Sequence, residues 1–198
     1  EWRCPVPDPR SPVPPARSTR PARAVILQRR SALGFDGSTA LKRNTFFSML
    51  SRLQPPAPPW DAIHWQPHVH LGVFVHRVED LVPGMYAYLR DDSTRAELQA
   101  AMRREFLWEQ VDKDAPLFLL APIDCRRIAN RLSCDQDIGA DGFFSLAMLA
   151  RVEGALRERG EWFYRRLFWE CGLIGQVLYL EAEAAGARAT GIGCFYDD

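Results

Sequence analysis

The sequence predicts a single mixed α+β domain behind a proline-rich segment. First, short apolar stretches of strand length alternate with longer stretches in which apolar residues recur at helical spacing. Second, their order is helices, a hairpin, a helix, a strand, two long helices and a last strand, which is not a regular strand–helix repeat. Third, 198 residues with 47% hydrophobic composition suffice for one domain with a substantial core.

Residues 1–22 combine many prolines with arginines and lack apolar residues for a core. They predict an extended linker or tail, so the domain proper spans residues 23–198. A proline-rich ligand for an SH3-like module is the alternative interpretation. The prolines are Pro5, Pro7, Pro9, Pro12, Pro14, Pro15 and Pro21.

The first half of the domain predicts two helices and a hairpin. Residues 22–30 form a short apolar run that predicts a helix ending near Ser31, and residues 41–53 predict a second helix. Four prolines make residues 54–60 a loop. Residues 69–75 predict a strand that turns at Pro83-Gly84 and returns over residues 85–89.

The second half predicts three helices and two strands. Thr94 and Glu97 form a capping-box pattern, which predicts a helix through about residue 109, and residues 117–121 predict a strand. Residues 143–159 and 164–185 predict two long helices, the second ending at Gly186, and residues 190–195 predict a last strand. The second of these helices is apolar nearly all round in its middle, which implies burial on several sides.

Charge and cysteine usage exclude several classes of function. Basic and acidic residues number 25 each, so no bulk charge favours nucleic acid or an anionic membrane. Five cysteines without a C-x-x-C pair predict neither a disulfide framework nor a zinc finger, and we expect a cytoplasmic protein. No apolar run approaches the ~20 residues that span a bilayer. Because the sequence begins at Glu1 and ends just after a glycine-rich run, we expect a longer protein, incomplete here at its C-terminus.

Two short segments suggest a site for a phosphorylated, flat ligand. Arg29, Arg30 and Ser31 lie at a bend, where forked guanidinium donors and a hydroxyl suit a phosphate. Gly191 and Gly193 flank Ile192 and let the main chain approach a flat ring. Taken alone, the first segment is better explained as a solvated bend, and the second is explained about equally well as a bulged strand. No glycine fingerprint of a dinucleotide fold is present.

Taken in order, these motifs resemble the flavin nitroreductases. An R-R-S bend is followed by a G-x-x-G-Q-x-L-Y-L-x-A helix and a G-I-G-x-F strand. The wider pattern is similar to the SagB-type dehydrogenase branch over residues 22–198. That pattern comprises residues 71–79 (LGVFVHRVE), 83–86 (PGMY), 133–138 (SCDQDI) and 164–170 (YRRLFWE).

The resemblance implies a nitroreductase-like fold and an FMN-dependent oxidoreductase. Arg29, Arg30 and Ser31 would then hold the FMN phosphate and ribityl chain, with residues 191–193 along the isoalloxazine. The family is typically an intertwined homodimer, and hydride transfer passes through flavin N5. NAD(P)H is one donor class, and the SagB branch implies oxidation of an azoline ring in a modified peptide. No catalytic side chain is predicted.

Three departures from the family pattern motivate an alternative in which the protein does not catalyse a reaction. Leu33 stands where a basic residue is common, the proline-rich loop at 54–60 replaces a flavin-bordering loop, and the family's later strand and basic residues have no counterpart. The alternative is a flavin-binding or structural homologue within a larger protein. We expect this chain to bind FMN weakly.

A second alternative is a metal site built on the histidines. All four lie within residues 64–76, and His68 and His70 would share one face of a strand. The alternative explanation is that they are surface or packing residues. Tyr164, Cys134 and Cys171 are candidate proton donors or nucleophiles, with burial as ordinary aromatic and thiol side chains as the competing interpretation.

Overall fold

A computed structural model describes residues 19–194, in which helices pack against a five-stranded antiparallel sheet of order β3-β4-β2-β1-β5. The strands are β1 (Val69–Val75), β2 (Gly84–Tyr88), β3 (Glu109–Gln110), β4 (Leu117–Ala121) and β5 (Phe144–Ala150). The helices are α1 (Ala22–Gln28), α2 (Arg43–Ser51), α3 (Arg95–Ala101), α4 (Arg126–Leu132), α5 (Ile138–Asp141), α6 (Val152–Arg159) and α7 (Tyr164–Ala184).

The predicted hairpin forms the middle of the sheet. Strand β1 pairs with β2 from Leu71 opposite Tyr88 to Val75 opposite Gly84. All of β1 except Gly72 is buried, as its branched and aromatic residues predict for a central strand. Gly84 is required at the turn, because a Cβ there would lie 2.5 Å from the carbonyl oxygen of Ala121.

The helix predicted over residues 143–159 is wrong in its first half. Residues 144–150 form β5, which pairs along the full length of β1, and only residues 152–159 are helical. Leucine, alanine and methionine favour a helix locally. Pairing with β1 supplies the backbone hydrogen bonds of this segment instead, so the tertiary context overrides the local preference for a helix.

Two further local predictions differ from the structure. Thr94 makes no side-chain capping bond to α3, and this helix ends at Ala101 rather than near residue 109. The Asp91 side chain instead accepts from the Ser93 N–H and caps a 3₁₀ turn just before α3. Residues 190–194 have no regular structure, so the strand predicted there is absent from the described residues. Its last residue, Phe195, lies outside them.

Helix α7 is buried along one side over its middle. Ile174 and Val177 lie in the core that contains the sheet, and Leu167 lies in a second cluster with Ala155 and Phe163, whereas Trp169 on the opposite side is 53% exposed. The burial on several sides that the sequence predicts for the middle of this helix is therefore not observed within residues 19–194. The inner side also carries Glu170, whose carboxylate pairs with the guanidinium of Arg90, each side chain being only 1% exposed.

One disulfide ties the end of the described chain to the domain. Cys134 follows α4 and bonds to Cys194, sixty residues further on. Spacing alone did not indicate this pair, because cysteine connectivity depends on tertiary proximity. Cys125 and Cys171 are free thiols.

Candidate functional site at the Arg29–Ser31 bend

The Arg29–Ser31 bend begins where α1 ends at Gln28. The Arg29 guanidinium lies over the ring of Tyr179, 5.1 Å from its centroid. The Arg30 guanidinium donates to the carbonyl oxygens of Leu27 at 3.0 Å and Arg29 at 2.7 Å. Ser31 is exposed. The bend therefore presents two cations and a hydroxyl at the surface, as the sequence predicts for this turn.

The hydroxyl of Tyr179 joins this bend to the glycine segment 191–193. It lies 3.0 Å from Ser31 Oγ and accepts from the Gly191 N–H at 2.6 Å. The Ala32 N–H donates to the carbonyl oxygen of Ala189 at 2.9 Å, which adds a second link. The two predicted segments thus meet within one chain. Among the described residues no hydrogen bond links Ile192 or Gly193 to the bend.

The chemistry of this surface fits a phosphorylated, flat ligand. Neither Arg29 nor Arg30 forms an ion pair with another described residue. A Cβ placed at Gly34 or at Gly193 would have no other atom within 4 Å, so there is open space beside both the bend and the glycine segment. Guanidinium groups without a carboxylate partner, beside accessible main chain, are donors that a phosphate prefers.

Tyr179 is the site residue that sequence reasoning missed. It lies on α7, inside the apolar run that the sequence predicts to be a buried helix. The Arg29 guanidinium stacks over its ring, and its hydroxyl accepts from the Gly191 N–H. A tyrosine in such a run signals a hydroxyl that needs a partner when partly buried. That partner lies in residues 189–193, which the sequence does not place.

Three of the histidines, His68, His70 and His76, have separate contacts with other parts of the fold. His70 Nδ1 accepts from the Arg90 N–H at 3.2 Å, and His76 Nε2 lies 3.1 Å from the Gly139 carbonyl oxygen. His68 packs edge-on against Phe163, with ring centroids 5.1 Å apart. Burial lowers the pKa of all three imidazoles. Within residues 19–194 no group of three or more histidine, cysteine, aspartate or glutamate side chains is placed to hold a metal ion.

The other candidate nucleophiles are unsuited to that role here. Cys134 is in the disulfide. Burial raises the pKa of Cys171 to about 11, which keeps it a protonated thiol at neutral pH. Tyr164 is half exposed and packs edge-on against Phe168. Within the described part of the chain, none of these residues forms a hydrogen bond with the Arg29–Ser31 bend.

Comparison with known proteins identifies the fold. Neither a scan against family models nor a search of curated proteins found a match. A 1.80 Å crystal structure of a protein from Anabaena variabilis, provisionally described as a nitroreductase, matches 89% of this chain with a TM-score of 0.67 and 22% sequence identity. This chain spans about a third (33%) of that protein. The predicted mixed α and β, nitroreductase-like fold is therefore confirmed.

No helix in the described residues is both long and apolar enough to cross a bilayer.

Proposed function

We propose that this chain is the FMN-binding part of a flavin-dependent oxidoreductase. The main support is that the Tyr179 hydroxyl contacts both Ser31 and Gly191, which places the two segments side by side on the surface. The nitroreductase-like fold supports the proposal, because it is similar to that of a protein provisionally described as a nitroreductase. The R-R-S bend and the glycine segment are the motifs to which the sequence resemblance assigns flavin binding. The fold alone does not define the chemistry, so the proposal rests on this surface.

Each residue of the site has a role in holding the cofactor. Arg29 and Arg30 bind the phosphate through forked donors, and Ser31 contributes its hydroxyl to the phosphate and ribityl chain. The main chain of residues 191–193 lies along the ring, where the absence of side chains at the glycines permits close approach. Tyr179 positions both segments. When bound, FMN supplies two-electron transfer through N5, and the protein supplies orientation and tuning.

The finer features are proposals that follow from the sequence resemblance. The electron donor would be NAD(P)H, and the substrate class an azoline ring in a modified peptide, oxidised to an azole. A homodimer would close the site from the side of α1. Exposed apolar side chains flank the bend and support such a contact: Ile26, Leu27 and Leu33.

The test is the visible spectrum of the purified chain in equilibrium with added FMN, recorded against the same concentration of free FMN so that weak binding is detected. We expect oxidised-flavin bands that bleach with NAD(P)H under anaerobic conditions. The Arg29→Gln/Arg30→Gln double variant should lower FMN affinity at least about tenfold, since each charge-assisted contact contributes roughly 1.5–3 kcal/mol. Arg23→Gln, an exposed position on α1 away from the bend, is the matched control.

The outcomes separate the alternatives. A chain that binds no FMN, even weakly, contradicts the cofactor. Bound flavin that no donor reduces contradicts the oxidoreductase and supports the non-catalytic homologue instead.

A further inference from the structure

The Cys134–Cys194 disulfide joins two segments that are held in very different ways. Cys134 lies in the turn between α4 and α5, and Cys194 is the residue next to Gly193 at the end of the glycine segment. The bond thus attaches one half of the proposed flavin site to a part of the fold outside that site. Breaking or forming it therefore acts on the site, although neither sulfur belongs to it.

The Cys134 side of the bond is fixed by the packing of α4 against α5. The Asn130 amide donates to the Asp137 carboxylate at 3.0 Å, and Gly139 packs so closely on Ser133 that a Cβ there would clash with the Ser133 hydroxyl. Cys134 itself has a positive φ of 57°, which a residue other than glycine keeps only where its surroundings hold it. The turn that carries Cys134 is therefore held by contacts that do not depend on the disulfide.

The Cys194 side of the bond has few other contacts. Residues 187–194 form no regular structure, and their last hydrogen bond before the disulfide is the one that the Gly191 N–H donates to the Tyr179 hydroxyl at 2.6 Å. Within residues 19–194 no hydrogen bond holds residues 192–194. In the part of the chain that the structure describes, the disulfide therefore fixes the end of the glycine segment.

The bond is also accessible to thiols from solution. Cys134 is exposed and Cys194 is half-buried. Exposed disulfides are the ones that exchange with thiols most readily. Because Cys134 is the more exposed residue, an incoming thiolate attacks its sulfur, and Cys194 leaves as the thiolate.

The exchange takes two steps with a low-molecular-weight thiol such as glutathione. In the first step the thiolate forms a mixed disulfide with Cys134, and the bond between Cys134 and Cys194 breaks. A second thiol then displaces Cys134 from the mixed disulfide. In sum, two thiols are oxidised to one disulfide, while the protein pair takes up two electrons and two protons and becomes two thiols.

We propose that the Cys134–Cys194 pair is a thiol-exchange site whose redox state sets the affinity of the chain for FMN. This inference rests on the proposed function. With the disulfide formed, residues 191–193 are already ordered beside the Arg29–Ser31 bend, so FMN meets a preorganised segment. With the pair reduced, FMN must order this segment on binding, which lowers the affinity roughly tenfold for each residue that becomes fixed.

The experiment measures the FMN affinity of the full chain by fluorescence titration, in oxidised glutathione and in dithiothreitol. We expect the reduced chain to bind FMN at least about tenfold more weakly. By thermodynamic linkage, saturating FMN should then make the pair harder to reduce in a glutathione buffer by the same factor. Peptide mapping after alkylation verifies the Cys134–Cys194 bond in the oxidised sample.

Cys134→Ser and Cys194→Ser each prevent the bond, so both variants should bind FMN as the reduced wild-type chain does and should not respond to dithiothreitol. Cys125→Ala is the control, because Cys125 is a free thiol, and it should keep the full response. Equal FMN affinity in the two redox states overturns this inference and leaves the flavin site standing. So does a chain that forms no Cys134–Cys194 bond under oxidising conditions. No FMN binding in either state contradicts the proposed function and this inference together.

Discussion

Within residues 19–194, the Tyr179 hydroxyl contacts both halves of the proposed site. It accepts from the Gly191 N–H and lies within hydrogen-bonding distance of Ser31. Tyr179→Phe keeps the ring under Arg29 but removes both bonds. We expect amide exchange at residues 189–193 to accelerate and the free energy of unfolding to fall by about 1 kcal/mol. Hydrogen exchange read by mass spectrometry checks this.

Tyr164→Phe is the control for this change, because that ring is half exposed on the same helix. Unchanged exchange at residues 189–193 in Tyr179→Phe would show that the hydroxyl does not hold the glycine segment.

The buried pair of Arg90 and Glu170 anchors α7 to the sheet. Arg90 also donates to the Leu53 carbonyl oxygen at 2.8 Å, and Glu170 accepts from the Val69 N–H at 3.3 Å. Arg90→Met leaves the carboxylate buried without its counter-charge. We expect the free energy of unfolding in urea to fall by about 3–5 kcal/mol.

Adding Glu170→Gln to Arg90→Met should recover part of this loss, because no uncompensated charge remains buried. Arg151→Gln is the control: its partner Glu97 is about as exposed as Arg151 itself, so little change is expected. A loss in Arg90→Met no larger than in Arg151→Gln contradicts the anchoring role.

Sequence patterns predicted best those elements that pair with an element next to them in the sequence. Strands β1 and β2 are joined by the Pro83-Gly84 turn, so alternation and turn signal together indicate the hairpin. Strand β5 instead pairs with β1, which lies about seventy residues earlier, and its composition favours a helix. Local patterns contain no information about that pairing.

The proposed site shows the same division. Arg29, Arg30, Ser31 and the glycines are visible as motifs, and their proximity follows from the α1–α7 packing that the sequence does not display. The sequence did not predict the contacts of Tyr179 or the Cys134–Cys194 disulfide, because both depend on where residues 189–194 lie in the fold.

The disulfide determines how firmly residues 187–194 are held. The Cys134–Cys194 bond fixes the end of this segment against the residues that follow α4. We expect reduction, or Cys134→Ser, to raise amide exchange in this segment while the sheet stays protected. Mass-spectrometric exchange with and without reductant measures both regions.

Cys125→Ser is the control for the disulfide, because Cys125 is a free thiol. The interpretation is contradicted if reduction loosens the sheet as much as the terminal segment.

The whole molecule should lose stability in mild acid. Burial holds the pKa of His70 and of His76 below its usual value near 6.5, so the unfolded chain binds more protons than the folded one as the pH falls below that value. The stability that these neutral imidazoles contribute is therefore present above about pH 6.5 and is lost below it. Melting temperatures across this range should decline toward low pH.

The His70→Gln/His76→Gln variant does not titrate at these positions, so its melting temperature should decline less. A wild-type melting temperature that stays level or rises as the pH falls contradicts the assignment of buried neutral histidines.

The joining of the Arg29–Ser31 bend and residues 191–193 into one flavin site is tested most directly by amide hydrogen exchange of the full chain with and without saturating FMN. We predict slower exchange in residues 29–33 and in residues 189–194 together, with the β1–β2 hairpin unchanged. Protection confined to one of the two segments, or found only elsewhere, would contradict the site.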